Sequence, residues 1–70
     1  MTNNVYKSVE ITGSSPEGVT QAIDGAIAKA SKSVRNLDWF EVTAVRGQIG
    51  EDGRVAHYQA TLKIGFRIED

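Results

Sequence analysis

The chain has 70 residues, enough for one domain (residues 1–70), and a domain this small buries only about 60% of the surface its unfolded chain exposes. It has no cysteine, which removes disulfides, and its single histidine, His57, weakens the case for a structural metal, which leaves self-assembly as the expected remedy. The 8 basic and 9 acidic residues give a net charge of −1, which excludes a general attraction to nucleic acid or an anionic membrane, while 40% hydrophobic and 24% charged residues exclude a disordered chain.

The opening Met1-Thr2-Asn3-Asn4 has neither the basic nor the apolar region of a signal peptide. No apolar run approaches membrane-spanning length, so a soluble cytoplasmic protein is expected. Val5, Lys7, Val9 and Ile11 then alternate with Tyr6, Ser8, Glu10 and Thr12, the period of two that predicts a strand, ended by Gly13. Ser14-Ser15-Pro16-Glu17 predicts a helix start: either serine can cap, proline sits where its missing N–H is harmless, and Glu17 lies three residues after Ser14 as in a capping box.

From Val19, apolar residues at Ala22, Ile23, Ala26, Ile27, Ala30 and Val34 repeat at i, i+3, i+4 and i+7, one stripe of an amphipathic helix. Gly25 inside it should cost about 1 kcal/mol relative to alanine, a cost that close approach of a neighbouring backbone would explain. Lys29, Lys32 and Arg35 gather toward the end that the helix dipole makes negative.

After Asn36 alternation returns, with Phe40, Val42 and Ala44 on one side and Trp39, Glu41 and Thr43 on the other. Gly50-Glu51-Asp52-Gly53 predicts a hairpin turn. In the returning strand Tyr58, Ala60, Leu62, Ile64, Phe66 and Ile68 oppose His57, Gln59, Thr61, Lys63, Gly65 and Arg67. One helix covers one sheet face, and Phe40, Val42, Leu62, Ile64 and Phe66 match its stripe. The expected fold is therefore α+β: β-α-β-β with a three-stranded antiparallel sheet in the order 1-3-2.

The uncovered face carries Trp39 and Gln59 by parity. An indole offers a flat stacking surface and an amide offers a donor and an acceptor to the edge of a heterocycle, so together they suit a planar aromatic ligand. Tryptophan is also enriched in subunit interfaces, and the pattern alone favours that role for Trp39. Arg46 has the parity of the helix side, unless a bulge near the hairpin end redirects it, and Arg67 shares the parity of Gln59. Either guanidinium can hold a phosphate or a partner's carboxylate, though exposed arginines are more often solvated or paired. Catalytic groups are missing from the pattern. His57 has no serine or thiol partner, Glu41 has no second acid at a useful spacing, and Gly47, Gly50 and Gly53 form neither a dinucleotide fingerprint nor a P-loop. No metal site is expected.

The string Asn36-Leu37-Asp38-Trp39-Phe40-Glu41-Val42, with Arg46-Gly47, Tyr58-Gln59 and the closing Gly65-Phe66-Arg67-Ile68-Glu69, resembles the dodecin family. The likeness extends to Val5-Tyr6-Lys7 and to the helix entry from Gly13 to Gly18. It implies a hollow homododecamer with the sheet wrapped around the helix. It also implies flavins bound in antiparallel pairs between symmetry-related tryptophans matching Trp39, and a glutamine matching Gln59 on the pyrimidine edge. As in bacterial-type members, FMN is the implied flavin, or riboflavin, with Arg46 and Arg67 around it. Coenzyme A is implied near basic residues, whose matches are Lys7, Lys29 and Arg35. The implied function is flavin storage or sequestration and protection from flavin photochemistry, without enzymatic turnover. The alternative is a structural or protein-interaction oligomer in which Trp39 anchors an interface and no small molecule takes part.

Overall fold

The structure, a computed structural model, describes residues 3–69; Met1 and Thr2, part of the opening expected to lack signal-peptide character, lie outside the described residues, as does residue 70. The elements are β1 (Tyr6–Ser15), α1 (Val19–Ala30), β2 (Leu37–Ile49) and β3 (Val55–Arg67). They form one antiparallel sheet in the order β1-β3-β2, with α1 as the crossover from one edge strand to the other, as the single-helix argument predicts. The hairpin turn also falls where expected. Gly53 has φ +78, its N–H donates to the Gly50 carbonyl (3.0 Å), and the Asp52 carboxylate accepts from the Arg54 N–H (3.0 Å).

Four local expectations are corrected. Gly13 does not end β1, which continues through Ser15; instead it is the point where the helix comes closest, since a Cβ there would overlap the Ala22 carbonyl and lie 2.9 Å from the Ala26 Cβ. Gly25, expected to serve that purpose, has nothing within 4 Å of its would-be Cβ. The serines do not cap the helix. Gly18 holds the cap position with no side-chain bond, while the buried Ser15 accepts the Glu17 N–H at its Oγ (3.0 Å), shaping the turn out of β1. The helix closes at Ala30, and Val34 follows in a turn whose N–H still reaches the Ala30 carbonyl (2.9 Å). Asn36, at φ +66, then reverses the chain into β2.

The core is small: Ala22 and Ala26 from the helix meet Ala60, Leu62 and Ile64 from the central strand, with Val9, Ile11, Ile23, Ile27 and Leu37 packed around them. Burying Leu62 and Ile64 stabilises by about 1.5–3 kcal/mol each. The helix lies over β1 and β3 rather than over the whole sheet. Phe40 and Val42, expected beneath it, are therefore left 49% and 37% exposed. The long hairpin makes an extended molecule of 56 × 20 × 14 Å whose radius of gyration is 14.6 Å, against about 11 Å for a compact chain of this length. Among the described residues no helix is long and apolar enough to cross a membrane.

Candidate functional site

Two bulges in β2 decide which side chains reach the uncovered face. Leu37 pairs with Phe66 and Trp39 with Gly65, so Asp38 is an extra residue on β2. It lets Leu37 turn into the core and Trp39 turn out, although strict alternation would put both on one side. Val42 pairs with Leu62 and Ala44 with Thr61, so Thr43 is a second extra residue, and its hydroxyl donates to the Thr61 carbonyl (3.2 Å). Beyond this bulge the parity inverts. Ala44, expected on the helix side, faces outward, and Arg46 comes directly opposite Gln59 on the uncovered face. This resolves the open question of Arg46.

Trp39 stands on an unusual floor. Gly65, its cross-strand partner, has no side chain, and the indole occupies the space a Cβ would take; an added Cβ there would collide with ring atoms Cε2 and Cζ2. The indole covers Gly65, which is buried, yet Trp39 itself stays 41% exposed. One face of the ring is thus spent on β3 backbone and the other remains available to a stacking partner.

Tyr6 approaches from the opposite edge of the sheet. Its ring meets the indole edge-on, with centroids 6.1 Å apart at 61°, and its hydroxyl donates to Asp38 Oδ2 (2.8 Å). That hydrogen bond raises the Tyr6 pKa above its ordinary value, helped by desolvation and by the Asp38 charge, with Asn4 and Arg67 opposing. Arg67 pairs with Tyr6 across β1 and β3 and so shares this end of the face.

The residues expected to hold one ligand therefore fall into two groups. Trp39 and Arg67 stand with Tyr6 and Asp38 at one end, and Gln59 and Arg46 face each other at the other. Trp39 and Gln59 do share a face, but Gln59 lies six residues from Gly65 along β3, roughly 20 Å at the rise of an extended strand. The basic residues matched to coenzyme A also divide. Lys7 and Arg35 line a depression with Arg67 and Phe66 where β1, β3 and the turn after the helix meet, whereas Lys29 lines the groove between α1 and β1 beside Lys32.

Sequence reasoning placed Tyr6 on the outward alternation of the first strand and Asp38 before Trp39, but assigned neither a part in the site. The available signal was Gly65: a glycine on the outward parity of a central strand marks a place where side chains of both edge strands can meet.

The Dodecin family model matches residues 5–69. The chain is 54% identical over 66 residues to the dodecin of Thermus thermophilus, a match covering 94% of each chain. It is also similar to the solved structure of the dodecin from Streptomyces davaonensis, with a TM-score of 0.91 and 51% identity over 99% of this chain and 100% of that one. The structure of dodecin from Streptomyces coelicolor matches with a TM-score of 0.90 and 57% identity, covering 100% of this chain and 99% of that one.

Proposed function

From the premise that the chain belongs to the dodecin family, we propose that it is a flavin-binding homo-oligomer, not an enzyme, that stores or sequesters flavin and suppresses its photochemistry. The observation that carries this reading is Trp39 laid on Gly65 with its outer face free. That arrangement suits a planar isoalloxazine, since the indole needs no rearrangement to stack and the glycine keeps the platform low on the sheet. A bound flavin would supply light absorption, and Trp39 stacked on it would be the electron donor that quenches its excited state, the electron returning to the indole as the pair relaxes.

The separation of Trp39 from Gln59 supports a site built between copies. One copy brings the Trp39 group and another brings Gln59 with Arg46, which donate hydrogen bonds to a carbonyl-rich ring edge. Self-association is independently favoured by Phe40, Val42 and Val45. They lie on the helix side, opposite Ile64, Leu62 and Ala60, and α1 leaves them exposed. In the proposed homododecamer these side chains are covered by neighbouring copies. FMN or riboflavin is the proposed ligand, with the Lys7, Arg35 and Arg67 depression as the place for phosphate-bearing groups, FMN or coenzyme A.

The test is the visible absorption spectrum of the purified protein with mass analysis of what it releases on denaturation. A flavin spectrum is expected, with less flavin retained by Trp39→Ala. A colourless wild-type protein that takes up no added FMN or riboflavin would overturn the proposal in favour of a ligand-free interaction oligomer.

A further inference from the structure

We infer that Tyr6 and Asp38 form a clamp across the sheet that fixes the plane of Trp39, so that Tyr6 is a positioning residue for the stacking platform. The two residues come from opposite edge strands, 32 positions apart in sequence, and their hydroxyl and carboxylate meet at 2.8 Å. β3 runs between them. Side chains from both edges reach each other over it because Gly65 leaves the surface low, and because Asp38, as the extra residue of a bulge, is released from regular cross-strand pairing.

Trp39 needs such a device. Within its own chain it is 41% exposed, and Gly65 covers it from the β3 side only. Rotation about its side-chain torsions would swing the indole off that floor unless something bounds its edge. The Tyr6 ring supplies that boundary at 6.1 Å and 61°. Tyr6 is itself 37% exposed and is anchored at its far end by the bond to Asp38, the residue directly before Trp39. The tyrosine holds its proton more firmly than usual, so its hydroxyl remains a donor throughout the neutral range. Fixing the ring before binding removes an ordering cost that binding would otherwise bear.

The inference rests on the flavin reading for its consequence but not for its first test. Trp39 is the sole tryptophan of the chain, so time-resolved fluorescence anisotropy of the full-length, flavin-free protein, excited at the red edge where transfer between tryptophans of neighbouring copies fails, reports its motion. Tyr6→Phe keeps the ring and removes the bond, and Asp38→Asn weakens the bond from the other side. Both variants are expected to show larger subnanosecond depolarisation of Trp39 at unchanged oligomer size, and riboflavin affinity lower by about tenfold. Wild-type anisotropy in both variants, or freer motion with unchanged riboflavin affinity, would overturn the clamp. If the wild-type protein binds no riboflavin, the flavin reading fails, and anisotropy alone decides whether the clamp exists.

Discussion

The indole of Trp39 occupies the space above Gly65 that any other residue would fill with its own Cβ. The pair is a single device: the glycine is the floor and the tryptophan is the plate. Gly65→Ala should keep the sheet, since alanine is tolerated in a strand interior, and should lift the indole. Flavin affinity is expected to fall about tenfold, or about 1.4 kcal/mol, with fluorescence of bound flavin partly restored. Calorimetric titration with FMN checks the affinity.

Trp39→Ala removes the plate altogether. Loss of stacking on the order of 1–3 kcal/mol is expected by analogy with bases on aromatic side chains, and any flavin still bound should emit. Dissociation of the oligomer with no change in flavin binding would instead assign Trp39 to an interface.

The roughly 20 Å between Trp39 and Gln59 along β3 predicts complementation. Trp39→Ala and Gln59→Ala should each bind flavin poorly alone. Co-refolded in equal amounts, they should yield a fraction of sites with both wild-type residues, visible as a tight phase in the binding isotherm. A mixture that behaves as the sum of its parts would place both residues of each site in one chain.

The hydrogen bond from Tyr6 to Asp38 sets a pH dependence. Because the folded protein raises the Tyr6 pKa, the protonated hydroxyl is favoured by the fold. Its contribution is fully present below the ordinary tyrosine value near 10 and is lost as pH rises through the raised value. In a Tyr58→Phe background, phenolate absorbance should therefore appear at higher pH than in a free tyrosine, and Asp38→Asn should bring it back down.

Two glycines should respond in opposite directions to alanine. At Gly13 the added methyl collides with the Ala22 carbonyl and forces the helix away from β1, at a cost of about 1–3 kcal/mol. At Gly25 it meets open space within the chain and improves helix propensity by about 1 kcal/mol. Melting temperatures at matched protein concentration should fall for the first and rise for the second. A fall at Gly25 would mean that a neighbouring copy occupies the helix groove.

The strand order was legible because a single helix leaves few topologies, and the hairpin because Asp52-Gly53 supplies the left-handed turn. The bulges were not. An extra residue such as Asp38 or Thr43 leaves no mark in composition, yet each one exchanges the faces of everything beyond it. Ala44 and Arg46 were misplaced or left open for that reason. The distance from Trp39 to Gln59 escaped parity for a related one: alternation tells which face a residue takes but not how far along it sits. Only the cross-strand register, fixed by the hairpin and its bulges, shows that the residues meant for one ligand stand at opposite ends of the chain's outer face.

The central claim is that Trp39 is a flavin platform, and its most direct test is the emission of riboflavin titrated with the flavin-free protein. Stoichiometric loss of emission in the wild type, with binding sharply weakened and emission retained in Trp39→Ala, is the predicted result. Riboflavin emission unchanged by excess wild-type protein would contradict the account.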